Sequence, residues 1–228
     1  MEVRRRTIKS YVLRQGRLTR GQQQALEKLW PVYGIDFEAK QLDLDTLFKR
    51  SAAIILEVGF GNGDSLFQQA LSNPNNDYIG IEVHRPGVGH LLHLAGDAGI
   101  TNLRVINHDA VEVLQQQLPD HSLDCVQLFF PDPWHKKRHH KRRIVKAEFI
   151  QLVYQKLKPG GLFHLATDWQ HYAEHMLAEM EQADGFSNTA GKGNYAENTG
   201  RPPTKFEHRG RRLGHGVWDL VFRKESVV

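Results

Sequence analysis

From residue 52 onward, short β-rich runs alternate with amphipathic stretches, and this constrains the fold more than any other feature of the chain. The strand candidates are 53–58, 78–83, 103–106, 124–130, 162–167 and 217–222; helix-like patterns occupy 64–70, 88–98, 110–117, 145–157 and 170–181. A strand that repeatedly returns to the sheet through a helix argues for an α/β fold with a mostly parallel central sheet and helices on both faces. Ligands in open sheets of this kind bind beyond the carboxyl ends of the strands. The 228 residues suffice for one filled core plus an appended segment. The expected division is a basic N-terminal extension at 1–50 and a single domain at 51–228. The extension carries Gln22-Gln23-Gln24 and a break at Trp30-Pro31, and is expected to dock on the domain or its substrate. Residues 184–203, rich in Gly, Asn and Thr, are expected to form a long surface loop.

The first strand runs into Glu57-Val58-Gly59-Phe60-Gly61-Asn62-Gly63-Asp64. Glycines allow a tight strand-to-helix turn and close approach of a ligand to the backbone. The spacing departs from the G-x-G-x-x-G dinucleotide fingerprint, and Glu57 and Asp64 flanking the turn would repel a pyrophosphate. They would welcome a cationic or zwitterionic ligand instead. Glu82 closes the second strand, where a carboxylate can take two ribose hydroxyls, and Asp109 closes the third, where it can accept from an exocyclic amine. Taken alone, each acid is more often a surface carboxylate or a cap, and Asp109 before Ala110 would make a good N-cap. Together they suit a ligand with a ribose, an adenine and a positively charged aminoacyl part, namely S-adenosyl-L-methionine.

The strand at 124–130 leads into Pro131-Asp132-Pro133-Trp134 and then His135-Lys136-Lys137-Arg138-His139-His140-Lys141-Arg142-Arg143. Phe130 and Asp132 precede prolines and are pushed toward extended geometry, which aims the Asp132 carboxylate. Trp134 offers a face on which a nucleic-acid base can stack. The plain alternative is an acidic turn before a solvated basic helix start. His135, His139 and His140 sit among cations that would repel a divalent ion, so no metal is expected. Glu174 and His175 read as a solvated face. A second basic cluster holds Arg4, Arg5, Arg6, Lys9, Arg14, Arg17 and Arg20. Overall charge is only mildly basic, 30 Lys+Arg against 26 Asp+Glu, so clustering carries the signal for a polyanion. The single cysteine, Cys125, reads as a small buried thiol, and its solitude fits a reducing cytoplasm. No apolar run is long enough to span a bilayer, and no apolar stretch follows the N-terminal arginines as a signal peptide requires.

At this point the chain resembles the bacterial tRNA (guanine-N7-)-methyltransferases, a branch of the Rossmann-like class I S-adenosylmethionine-dependent methyltransferases. The resemblance rests on LEVGFGNGDSL from Leu56, IGIEVHRPGVG from Ile79, PDPWHKKRHHKRRIV from Pro131, LATDWQHYAEHM from Leu165, RPPTKFEHRGRRLGHGVWDL from Arg201 and RRTIKSYVLRQGRLTRGQ from Arg5. The Pro-Asp-Pro-Trp and Thr-Lys-Phe-Glu elements are its most specific parts; Asn62 and Asp64 depart from residues common in the glycine loop. The resemblance implies that Glu57, Glu82, Asp109 and Asp132, with Gly59 in the turn, bind the cofactor and that Asp132 is the active-site residue. It further implies substrate contacts from Lys136, Asp168, Thr204, Lys205, Phe206 and Glu207. RNA contacts are implied for Arg138, His139, His140, Lys141, Arg142 and Arg143, with tRNA position 46 as the target. A cytoplasmic enzyme is expected, with a monomer slightly favoured over a dimer. The competing readings are a methyltransferase acting on an exocyclic amine, a nucleotide-binding oxidoreductase, and a noncatalytic RNA-binding protein on the same fold.

Overall fold

The computed structural model describes residues 9–12, 16–202, 207 and 216–226. The strands are β1 (Gly34–Ile35), β2 (Ala53–Val58), β3 (Asn76–Ile81), β4 (Leu103–Ile106), β5 (Leu123–Phe129), β6 (Leu157–Thr167), β7 (Phe186–Asn188) and β8 (Trp218–Lys224). The helices are α1 (Arg20–Tyr33), α2 (Leu44–Phe48), α3 (Asp64–Ser72), α4 (Arg85–Ala98), α5 (Ala110–Gln116), α6 (Ala147–Lys156) and α7 (Gln170–Glu181). One sheet takes the strands in the order β1-β4-β3-β2-β5-β6-β8-β7. All pairs are parallel except the two made by β8.

The order reverses direction between β2 and β5, which opens a crevice beyond their carboxyl ends. Register makes the strand ends level: Ile106 pairs with Ile81, Ile81 with Val58, Val58 with Leu128, and Leu128 with Leu165. Residues just past this row therefore meet at one edge, whatever their separation in sequence.

Successive strand side chains point to opposite faces, so the buried runs feed two cores. Leu56, Val58, Ile81, Leu128 and Leu165 pack under α5, α6 and α7 through Val113, Val153, Tyr172 and Met176. Ile55, Tyr78 and Val105 pack under α1, α3 and α4 through Ala25, Leu66, Leu91 and Ala95.

The N-terminal segment is stitched to this frame. Thr19 and Gln22 form a reciprocal capping box at the start of α1. The break expected at Trp30-Pro31 does not occur: α1 continues to Tyr33 with Pro31 inside it. Pro31 removes one donor in the last turn, while the Gly34 N–H caps the Trp30 carbonyl, Trp30 donates to Asp36 at 2.9 Å and the Tyr33 hydroxyl bonds the Ala95 carbonyl at 3.0 Å. Tertiary packing outweighs the local penalty.

Residues 184–203 are not loop throughout. Phe186–Asn188 pairs with β8, and Ala196 bridges Asp219. β6 begins at Leu157, earlier than expected, because the Pro159-Gly160-Gly161 stretch is absorbed where the register shifts between Leu123 and Cys125. Cys125 is half-buried in β5, and burial pushes its thiol up to about 12.

Candidate cofactor and nucleic-acid site

The turn after β2 is left-handed at Gly59, Gly61 and Gly63, with φ of 73°, 61° and 80°. A Cβ on Gly59 or Gly61 would meet nothing within 4 Å, so the backbone there faces open space. Glu82 holds this turn: Oε2 accepts from the Gly61 N–H at 2.8 Å, and Oε1 from the Val83 and His84 N–H groups at 2.7 and 2.9 Å. A carboxylate offers roughly four acceptor sites, so Glu82 retains capacity for a ligand hydroxyl while stapling the loop. The start of α4 presses on the same turn, and a Cβ on Gly87 would lie 1.9 Å from the Gly61 carbonyl oxygen.

Gly59, Glu82, Asp109 and Asp132 line one cavity of about 250 Å³, together with Ser10 and Tyr11 from the N-terminal segment. Sequence reasoning missed those two residues, since nothing local in an extension tells which strand end it crosses. Asp109 caps α5 through the Val111 N–H at 3.0 Å and also lies 3.5 Å from Lys9 Nζ. Glu57 lies in an adjoining cavity of about 200 Å³ that shares Gly59, Gly61, Phe129 and Phe130 with the first. It is 3% exposed within a buried amide network in which Gln69 and Gln127 bond each other at 2.8 and 3.1 Å. Burial above all, and then the Glu82 charge, push its carboxyl up to about 8, with Arg201 pulling the other way.

Phe130 is not extended, as its place before Pro131 suggested. Its φ is +51°, and Trp134 at the far side of the turn has +49°. The Phe130 N–H continues the sheet ladder to the Ala166 carbonyl at 2.8 Å, and its ring lies under the Arg201 guanidinium at 5.3 Å. Asp132 is exposed at the mouth of the cavity. Trp134 is built into the turn, with Nε1 donating to the Ser10 carbonyl at 3.2 Å, Arg142 stacked at 5.0 Å and His139 edge-on at 5.8 Å.

The cationic strip forms a 3-10 turn at Lys137–Arg142. Lys136, Arg138 and Lys141 are exposed, and His139, His140 and Arg142 are partly so. Arg143 is 3% exposed and turned into the protein. Asp168, half-buried at the end of β6, lines a separate cavity of about 510 Å³ with Trp169, His171 and Trp218. Trp169 is 37% exposed and meets His135 edge-on at 4.3 Å. Thr204, Lys205 and Phe206, like Arg4, Arg5, Arg6 and Arg14, lie outside the described residues. Glu207 is buried and bonded to Arg201 Nη1 at 2.6 Å. The same guanidinium grips Asp219 at 2.7 and 2.9 Å, and His164 reaches Asp219 at 2.7 Å. This buried cluster was not legible in the sequence, where a charged residue gives no sign of being inside. His175, expected on a solvated face, instead contacts the Val145 carbonyl at 3.0 Å and stacks on Tyr172.

Among the described residues no three His, Cys, Asp or Glu side chains form a metal-binding group, and no helix is long and apolar enough to cross a membrane.

A family model described as a putative methyltransferase matches residues 51–220. A tRNA (guanine-N(7)-)-methyltransferase of Aeromonas hydrophila subsp. hydrophila is 60% identical over 220 residues, covering 96% of this chain and 93% of the relative. A protein of the same name from Yersinia enterocolitica is 58% identical over 222 residues, covering 97% and 93%. Among solved structures, the 16S rRNA methyltransferase KamB aligns with a TM-score of 0.58 at 16% identity, over 81% of this chain and 93% of that one. That likeness shows the fold, a class I methyltransferase fold.

Proposed function

The chain belongs to the tRNA (guanine-N7-)-methyltransferase family, and we propose that it transfers a methyl group from S-adenosylmethionine to N7 of guanosine 46 in the tRNA variable loop. The products are 7-methylguanosine and S-adenosylhomocysteine. The observation that carries this reading is 60% identity along 96% of the chain to a relative bearing that activity in its name.

The residues present fit the cofactor. Gly59 and Gly61 present open backbone, and Glu82, Asp109 and Asp132 line the cavity among mostly apolar side chains, a set of acceptors suited to hydroxyls, an exocyclic amine and a cationic centre. Glu82 takes a ribose hydroxyl with its remaining capacity, Asp109 accepts from the adenine amine, and Glu57 and Asp132 offset positive charge. When bound, S-adenosylmethionine supplies an electrophilic methyl on a sulfonium.

Guanine N7 carries a lone pair and no proton, so no residue of this chain has to remove one for the attack. Asp132 orients the base and stabilises the positive charge that passes to the purine. Alignment of the reacting atoms is the largest contribution available, up to roughly 7–11 kcal/mol. N7 lies in the deep, narrow major groove of A-form RNA, so the base must be exposed or extruded, at a few kcal/mol. Asp168, just past the end of β6 and in its own cavity, has the acceptors to pair with guanine N1–H and N2–H if the extruded base reaches it. Trp134 is held on its face and edge, so Trp169 is the proposed stacking surface. Lys136, Arg138 and Lys141 hold phosphates and set register more than sequence choice. The pairing of Glu207 with Arg201 ties Glu207 to this end of the sheet. A cytoplasmic location belongs to the same proposal.

The test is to incubate the protein with labelled S-adenosylmethionine and unmodified tRNA and map the product. Label in 7-methylguanosine at position 46 is expected. Label on an exocyclic amine, or efficient methylation of tRNA carrying 7-deazaguanosine there, would overturn the reading.

A further inference from the structure

The strip after Trp134 divides into two kinds of cation. Arg138 and Lys141 face outward, but Arg143 spends its donors inside the protein. Its Nε donates to the Pro133 carbonyl at 3.0 Å, and Nη2 lies 3.3 Å from both His140 Nε2 and His171 Nδ1. Its guanidinium sits 4.7 Å from the Tyr172 ring centroid. A planar fork with several fixed donors suits such a site, and an ammonium does not.

The opposite end of the turn is built alike. The Arg201 side chain is 5% exposed, pairs with Asp219 and Glu207, and lies over the Phe129 and Phe130 rings at 5.5 and 5.3 Å. Between the two arginines the backbone is left-handed at Phe130 and Trp134. Each such residue is strained and persists only where its surroundings over-determine it. The Asp132 carboxylate is carried by this strained segment.

We propose that Arg143 and Arg201 are positioning residues for Asp132, holding its turn from both sides, and that Arg143 is not a tRNA contact. This rests on Asp132 being the active-site carboxylate. Fixing the Pro133 carbonyl fixes the Pro133–Trp134 peptide, one residue past Asp132, and fixing the Phe130 ring sets the entry to the turn. A misplacement of about 1 Å at a reacting centre can cost on the order of 10²-fold in rate.

Positioning and phosphate binding lead to different outcomes in one set of variants. Arg143→Lys, Arg143→Gln and Arg201→Lys are assayed in single turnover with saturating S-adenosylmethionine and unmodified tRNA. The salt dependence of tRNA binding and the folded fraction are measured on the same samples. The expected result is a loss of about 10- to 100-fold in the single-turnover rate per folded molecule for all three, with the salt slope of wild type. Lysine does not rescue, because it cannot reproduce the fork. If Arg143→Lys keeps the wild-type rate while Arg143→Gln flattens the slope by roughly 0.7–0.9, Arg143 is a phosphate contact and the proposal is wrong. Wild-type rates per folded molecule would reduce both arginines to a purely structural role and overturn it equally. Wild-type turnover in the same series tests the functional reading, and the ratio of variant to wild type tests the clamp.

Discussion

Glu57→Gln should make the ligand-free protein more stable and the enzyme worse. Glu57 is 3% exposed, and its carboxyl is pushed from an ordinary 4.5 up to about 8, chiefly by burial. A folded-state value above the unfolded one means that the folded protein holds this proton more tightly. Its contribution to stability is therefore fully present below pH 4.5 and lost as pH rises through 8. At 1.36 kcal/mol per unit, the loss is on the order of 3 kcal/mol at pH 7 and approaches about 5 kcal/mol above pH 8. Glutamine never ionises, and its side-chain oxygen can still face Gln69. Urea unfolding of the ligand-free proteins should thus show a gap in favour of the variant that widens by about 2 kcal/mol between pH 6 and 8. Cofactor binding should move the other way. A sulfonium favours ionised Glu57, so wild-type affinity for S-adenosylmethionine should rise with pH up to about 8 and binding should release a proton, visible by calorimetry in buffers of different ionisation enthalpy. Glu57→Gln should bind weakly and without that dependence, and S-adenosylhomocysteine, which lacks the sulfonium, should show less of it. A stability gap that stays flat from pH 5 to 9 would refute the assignment of a buried, protonated Glu57.

Gly87→Ala should cripple cofactor binding measured by calorimetry, because a Cβ 1.9 Å from the Gly61 carbonyl must displace the turn; wild-type affinity would mean that the turn yields freely. Glu82→Ala should weaken S-adenosylmethionine binding by at least about 1.5–3 kcal/mol. It should also lower the unfolding midpoint, since three backbone N–H groups lose their acceptor; unchanged affinity would remove Glu82 from the site. Replacing Arg138 and Lys141 with alanine should flatten the salt dependence of tRNA binding by roughly 0.7–0.9 log units for each phosphate left without its cation, and an unaltered slope would make these residues merely solvated. Asp132→Ala should cost on the order of 10²–10³ in the single-turnover rate, with tRNA affinity little changed; a wild-type rate would strip Asp132 of its role.

The sequence by itself determined whatever depends on local period and on strand ends. Alternating β-rich and amphipathic runs specified a mostly parallel sheet, and β2, β4 and α7 begin and end where the pattern places them. Because parallel strands end level, Glu82, Asp109 and Asp132 could be read as neighbours from the pattern alone, and they do line one cavity. What the tertiary structure decided is set by partners far away in sequence. Pro31 stays helical because Tyr33 is tied to Ala95. Phe130 is left-handed, against the preference of a residue before proline, with its N–H on Ala166 and its ring under Arg201. Phe186–Asn188 becomes a strand only because β8 lies beside it. Arg138 and Arg143 look alike in a basic run, yet one is exposed and the other holds the Pro133 carbonyl. Charge is a property of the residue, but burial is a property of the fold, and burial turns a cation from a phosphate contact into an internal clamp and a glutamate into a neutral acid.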